Sequence, residues 1–205
     1  QCWPRLICAV NRLCTARCLC SMTTSVYSGE PARTVSLLDL DRCAYGPVHN
    51  LQLQAMERVR DSQAAEVVIL VEHTPTITLG RRGDAANILA DAETLAALGI
   101  EVHRVERGGD VTYHGPGQLV AYPILRLREY VAGASDYMHL LEEVVSRTLS
   151  DFRIPAGLRP GRYGDQPSQR TVENHRDIEK TVAYVDEYTC DDGTRQTGRI
   201  GIEYR

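Results

Sequence analysis

Short runs of alternating and helically spaced apolar residues divide the chain into interleaved strands and helices. "TVSLLDLD" over 34–41 alternates as a strand, and Gly46 and Pro47 then interrupt the chain before "VHNLQLQAMERVRDSQ". In that stretch Val48, Leu51, Leu53, Met56 and Val59 recur near helical spacing, which leaves Arg58, Arg60 and Asp61 for the solvated side. "EVVILVEH" is a continuous β-branched run that predicts a fully buried strand, and the Thr/Ile alternation of "TPTITLG" predicts a second. "DAETLAALGI" predicts a short helix capped by Asp91 and stopped by Gly99, and "EVHRVERGG" a strand that runs into a glycine pair. The strongest helical pattern is "SDYMHLLEEVVSRTLSDF", with Ser135 as its N-cap. Tyr137, Leu140, Leu141, Val144, Val145, Thr148 and Leu149 share one face of it, and Glu142 and Glu143 face water. Pro155, Pro160 and Pro167 then break regular structure, after which "TVAYVDEY" and "GRIGIEYR" predict a hairpin around Asp192 and Gly193. Strands interleaved with helices imply an α/β or α+β domain built on a mixed sheet.

One stretch exceeds what a fold alone needs: "RGGDVTYHGPGQLVAYPIL", residues 107–125. Gly108 and Gly109 allow positive φ and place no Cβ between a ligand and the backbone amides. Asp110 to His114 then alternates as a strand, so Val111 and Tyr113 share one face and Asp110, Thr112 and His114 the other. Gly115, Pro116 and Gly117 turn the chain and "QLVAYPIL" returns, which predicts a hairpin with polar groups at its mouth. A purely structural turn would use the glycines in the same way. A phosphate cradle would not have this order, because a strand rather than a helix follows the glycine pair.

Composition narrows the classes. With 205 residues, 43% of them hydrophobic, the chain suits one domain with a substantial core, and a net charge of -4 lacks the basic footprint of a nucleic-acid binder. No apolar run is long enough to read as a membrane span. Cys2, Cys8, Cys14, Cys18 and Cys20 crowd the first twenty residues, and Cys43 and Cys190 stand apart, so the spacing is not that of a disulfide framework and suits a reducing compartment. Cys43 reads as a buried small apolar residue. No metal site is expected, since Cys18-x-Cys20 has the wrong gap and no nearby histidine. Residues 1–30 read as a leader outside the fold: Arg5, Arg12 and Arg17 occur there and no acid before Glu30. That composition fits either codons upstream of a start at Met22 or an organelle transit peptide.

"RGGDVTYHGPGQLVAYPIL", preceded by "VEHTPTITLGRRGDAANIL" over 71–89, resembles the signature of the lipoyl(octanoyl) transferases. The resemblance runs from about Thr34 to about Arg162. It implies a mixed β-sheet flanked by helices, as in biotin and lipoate protein ligases. It also implies transfer of an octanoyl group from octanoyl-acyl carrier protein to a lysine of a lipoyl domain, through a thioester on an enzyme cysteine and without a cofactor. The acceptors would be lipoyl domains of 2-oxoacid dehydrogenase complexes and the glycine cleavage H protein, in the cytoplasm, or in mitochondria if the leader is a transit peptide. Arg107, Gly108, Gly109, Asp110, Val111, Thr112, Tyr113 and His114 carry over as substrate-binding residues. Backbone amides at Gly108, Gly109 or Gly117 suit a thioester carbonyl, and Arg107 is expected to orient the loop through carboxylates such as Asp110.

Beyond about Arg162 the resemblance ends. The family's lysine in a KIA-x-IG-like context, its HG-x-ALN stretch and its cysteine in a PCG-like context have no counterpart. The remaining candidates are Lys180 in "DIEKTVAY", the one lysine in the chain, and Cys190 in "YTCDDG", where Asp191 and Asp192 oppose the thiolate. The expected organisation is a transferase-like domain over 31–162 and a divergent tail over 163–205, with catalysis impaired. Two other functions fit the same residues: an acyl-binding or interaction domain without chemistry, and a lipoate or biotin-type ligase that depends on ATP.

Overall fold

The computed structural model describes residues 22–24, 33–153, 156–158, 170–174, 182–189 and 196–203, with side chains described over 35–133 and 136–153. In chain order the described elements are β1 (Met22–Thr24), β2 (Arg33–Cys43), α1 (Tyr45–Arg60), β3 (Glu66–His73), β4 (Thr76–Leu79), α2 (Ala92–Ala97), β5 (Glu101–Arg104), β6 (Val111–His114), β7 (Gln118–Ile124), α3 (Ala134–Asp151), β8 (Ala156–Leu158), β9 (Arg170–Asn174), β10 (Val182–Thr189) and β11 (Gln196–Glu203). They form an eight-stranded sheet in the order β1-β2-β3-β7-β11-β10-β9-β8 and a three-stranded sheet in the order β5-β4-β6. Each sheet is mixed, with β2 parallel to β3 in the larger and β4 parallel to β5 in the smaller.

The larger sheet is covered on both faces, and strand alternation decides which side chain meets which helix. Val67, Ile69 and Val71 of β3 and Val120, Tyr122 and Ile124 of β7 pack with Val48, Leu51, Ala55 and Val59 of α1. Ala121, one residue out of phase on β7, packs with the cluster of Tyr137, Met138, Leu141, Val145 and Leu149 on α3. The strand β3 is therefore half-buried at alternate positions rather than buried throughout.

Five expectations about the helices change. The helix α1 starts at Tyr45 and absorbs Gly46 and Pro47. Proline costs nothing in a first turn, where the N–H it lacks has no intrahelical acceptor. Leu53 is 46% exposed, on the far side of the helix from Leu51, and Gln52 is buried in its place. The N-cap of α3 is Gly133 rather than Ser135, which lies inside the first turn. Glu142 is buried, because it follows Met138 by four residues and precedes Val145 by three, inside the apolar stripe, and its Oε2 lies 3.2 Å from His139 Nδ1. Leu140 and Val144 are correspondingly exposed.

The largest departure concerns 107–125. The strands β6 and β7 do not pair with each other: β6 pairs with β4 in the small sheet, and β7 with β3 and β11 in the large one. The arrangement is one long antiparallel ribbon, β3–β4 against β6–β7, bent between the sheets. Its two strands cross the seam at Thr74 and Pro75 and at Gly115, Pro116 and Gly117. The register shifts by one residue across the bend, from Glu72 opposite Leu119 to Thr76 opposite His114. The extra residue lies on the glycine side, where Gly117 takes φ 89°, as a bulge that redirects a strand requires. The expected pairing of β10 with β11 is present, and β11 lies against β7 in the middle of the large sheet.

Ile69 is fully buried under α1, so Ile69→Ala should cost about 2–5 kcal/mol in chemical denaturation, the transfer loss plus an unfilled cavity. A cost below about 1 kcal/mol would show that α1 does not cover this face.

Candidate functional site

The bend collects polar side chains at the seam between the sheets. His73, the last residue of β3, is fully buried; its Nε2 lies 2.8 Å from the Tyr122 hydroxyl and its Nδ1 3.2 Å from the Cys43 carbonyl oxygen. His114, the last residue of β6, is also fully buried, with Nδ1 hydrogen-bonded to Gln118 Oε1. The buried ring of Tyr45, from the first turn of α1, packs against both. Its centroid is 5.1 Å from His73, 5.1 Å from His103, 5.7 Å from His49 and 6.4 Å from His114. Four of the chain's six histidines, from four elements, thus surround one tyrosine. Cys43 ends β2 beside this cluster; it is buried as expected, and its sulfur is disulfide-bonded, which the cysteine spacing does not foretell.

Arg107 is the largest fully buried side chain among the described residues. Its Nε donates to Thr78 Oγ1 at 3.1 Å, Nη2 to Thr78 O at 2.7 Å and Asp110 O at 2.8 Å, and Nη1 to Gly108 O at 2.8 Å. Arg107 does orient the loop, but these bonds run to backbone carbonyls and a hydroxyl rather than to the Asp110 carboxylate. That carboxylate is used elsewhere: it accepts from the Asp84 N–H at 3.0 Å and from Asn87 Nδ2. Gly80 N–H donates to Asp110 O at 2.9 Å and Arg81 N–H to Arg107 O at 3.0 Å, which closes the loop onto the end of β4.

The eight expected residues therefore form one continuous stretch with three roles in the geometry. Arg107, Gly108, Gly109 and Asp110 make the loop; Val111, Thr112 and Tyr113 pair with Leu79, Thr78 and Ile77. His114 is not presented at an open mouth, because Tyr45 stacks over it and Gln118 holds its ring. Tyr113 is half-exposed and folds back toward Gly115, where an added Cβ would lie 2.5 Å from its hydroxyl. Tyr45 escaped sequence reasoning, and His73, Thr78 and Gly80 entered it only inside the stretch over 71–89, with no role of their own. The one available signal was His73 at the end of the most apolar strand, immediately before a proline-containing break. Lys180 and Cys190 lie outside the described residues. Among the described residues no three His, Cys, Asp or Glu side chains are grouped to hold a metal ion.

A family model described as the lipoyl protein ligase A/B catalytic domain matches residues 45–177, more than half of the chain. An octanoyltransferase of Syntrophobacter fumaroxidans is 47% identical over 130 residues, 63% of this chain and 57% of that protein. An octanoyltransferase of Acidobacterium capsulatum is 43% identical over 137 residues, 63% of this chain and 56% of that protein. The match to these curated relatives thus spans a little over half of their length. The structure of P. falciparum LipL1 in complex with lipoate is similar in fold, with a TM-score of 0.51 at 16% identity over 82% of this chain and 48% of that one.

The histidine cluster has a consequence for stability against pH. Burial, and then the neighbouring His103, hold the His49 imidazole below its ordinary value of 6.5, against an opposing pull from Glu106. The folded state therefore keeps His49 neutral while the unfolded chain takes up its proton first. Stability should fall as pH drops below about 6.5, because the unfolded state then binds more protons. His49→Gln should flatten that part of a denaturation-midpoint-versus-pH curve. An unchanged slope in the variant would show that His49 does not contribute.

Proposed function

The chain belongs to the lipoyl protein ligase A/B catalytic domain family, and on that premise we propose that it binds the octanoyl group of octanoyl-acyl carrier protein for transfer to a lysine of a lipoyl domain. The observation that carries this reading is the loop and strand over 107–114, fastened by Arg107 and ending at the buried His73, His114 and Tyr45, in a chain whose curated relatives are named octanoyltransferases. An octanoyl chain needs an apolar slot, and its thioester carbonyl needs fixed donors where charge develops. In this reading the β-branched strands around the seam would supply the first and the backbone of the loop the second. The residues assigned to substrate binding are Arg107, Gly108, Gly109, Asp110, Val111, Thr112, Tyr113 and His114.

In the proposed transfer, a cysteine thiolate adds to the thioester carbonyl carbon and expels the carrier thiolate, which takes up a proton. The uncharged lysine amine then attacks the acyl-enzyme, an amide forms, the amine loses a proton and the enzyme thiolate is released. Acceptors of this chemistry are lipoyl domains of 2-oxoacid dehydrogenase complexes and the glycine cleavage H protein, and the compartment we assign is the cytoplasm. Among the described residues no helix is long and apolar enough to cross a membrane. The contexts of Cys190 and Lys180 match neither family motif, and for that reason we place the transfer step of this chain well below its binding step.

The test is incubation of the full chain with octanoyl-acyl carrier protein and an apo lipoyl domain, with mass spectrometry of enzyme and domain and a separate binding measurement. The reading predicts binding, weakened about tenfold by His114→Ala because the buried ring, bonded to Gln118, positions the end of β6 beside the loop, with little transfer and no ATP requirement. Absence of binding would overturn the acyl assignment, and ATP-dependent loading of free octanoate would make the chain a ligase. Transfer abolished by both Cys190→Ser and Lys180→Ala would show an intact dyad and refute the impairment.

A further inference from the structure

The small sheet ends at β5, which pairs with β4 on one side and with no described strand on the other. Its backbone bonds to β4 come from alternate residues: Glu101 N–H donates to Pro75 O at 3.1 Å and Val105 N–H to Leu79 O at 2.8 Å. Successive residues of a strand turn their N–H and C=O groups to opposite edges, so those of Val102 and Arg104 point away from β4. Both residues are exposed, and among the described residues no hydrogen bond reaches these outward groups. Such an edge is a template for a further strand.

The side chains decide which strand fits. Val102 is 45% exposed; the register sets it beside Ile77, and Ile77 beside Tyr113, so an apolar row crosses the outer face of the sheet and stops at the open edge. On the opposite face Glu101 Oε2 lies 2.8 Å from His103 Nε2, and the His103 ring packs against Tyr45. Charged residues on an edge ordinarily repel a second strand, but here the two charges suit a second copy of the same strand. A two-fold axis normal to the sheet keeps every side chain on its own face, so only residues an even number of positions apart can lie opposite one another. Centred on Val102, the pairing sets Val102 against its own copy, Glu101 against the partner's His103, and Arg104 N–H against the Ile100 carbonyl. Centred on His103, it would set the two imidazoles together and Glu101 against Val105, which is buried. Opposite charges favour the first register.

We infer that β5 is a self-association edge, through which two copies of the chain pair antiparallel about Val102 and join their small sheets into one. The outward backbone groups of each Val102 bond to its copy, and the apolar rows of Tyr113, Ile77 and Val102 become continuous across the axis. On the inner face each His103 gains the partner's Glu101, which places a carboxylate of the second copy one ring away from Tyr45. The interface is independent of the acyl-transfer reading, since it uses none of the residues over 107–110.

The experiment is sedimentation equilibrium of the full chain over a range of concentrations, under reducing conditions that remove intermolecular disulfides, with amide hydrogen exchange at both ends of the range. A monomer–dimer equilibrium is expected. Exchange at Val102 and Arg104 should slow as concentration rises, while Glu101 and Val105, already bonded to β4, keep their rates. Val102→Lys, which sets like charges on the axis in place of an apolar pair, should weaken the dimer about fivefold or more. Glu101→Lys should weaken it in the same way, and adding His103→Glu, which exchanges the two charges, should restore it. If Val102→Lys does not fold, the loss and recovery at Glu101 and His103 decide. A monomer at every concentration would overturn the inference, as would a dimer that leaves exchange at Val102 and Arg104 unchanged or that Val102→Lys leaves intact. Slowing at these two amides only when an apo lipoyl domain is added would give the edge to that domain and equally overturn self-pairing.

Discussion

A guanidinium that is wholly withdrawn from water must have its donors satisfied where it lies, and Arg107 meets that requirement with Thr78 and with the carbonyls of its own loop. Burying such a group with donors unmet would cost several kcal/mol, so the loop over 107–110 and the end of β4 have few alternative arrangements. The planar fork also sets direction, because its hydrogen bonds hold Gly108 O and Asp110 O on the side of Thr78. Lysine, a point charge with three rotatable donors, would not impose the same plane.

That constraint propagates along the ribbon. With the loop closed on Gly80 and Arg81, β6 pairs with β4 from Val111 to His114, and the chain must then cross to the large sheet within three residues. The crossing carries His114 to the seam, where β3 delivers His73 from the opposite direction. The two rings sit 5.9 Å apart, each held by a partner on β7: Tyr122 for His73 and Gln118 for His114. The site is thus a product of bending one ribbon between two sheets, with the first turn of α1 supplying Tyr45 against both histidines.

Much of the scaffold was legible because it depends on local pattern. The alternation of β2, β4 and β6, the Asp91 cap and the Gly99 stop need only near neighbours in sequence, and Asp91 does accept from the Thr94 N–H at 2.7 Å while Gly99 takes φ 65°. What misled was pairing. Two strands joined by a glycine turn read as a hairpin, and nothing local tells a turn that pairs its flanks from one that hands them to different sheets. The binding loop was legible as a permissive stretch, but the role of Arg107 was assigned to the wrong acceptor. Carbonyl acceptors leave no trace in sequence, whereas Asp110 was a visible carboxylate three residues away. Tyr45 and His73 were missed for a related reason: they join the site through tertiary contact across α1 and β3, at positions whose sequence neighbourhood reads as core.

The dependence of the loop on the buried guanidinium is tested most directly by native-state hydrogen exchange of the Arg107→Lys variant against the unaltered chain. The amides to follow are Gly80 and Arg81, which donate to Asp110 O and Arg107 O, with Ile69 and Val71 of the large sheet as internal reference. Loss of the fork should speed exchange at Gly80 and Arg81 by about tenfold or more while Ile69 and Val71 keep their protection, as expected of a local opening. Unchanged exchange at Gly80 and Arg81, or acceleration shared equally by Ile69 and Val71, would contradict the account.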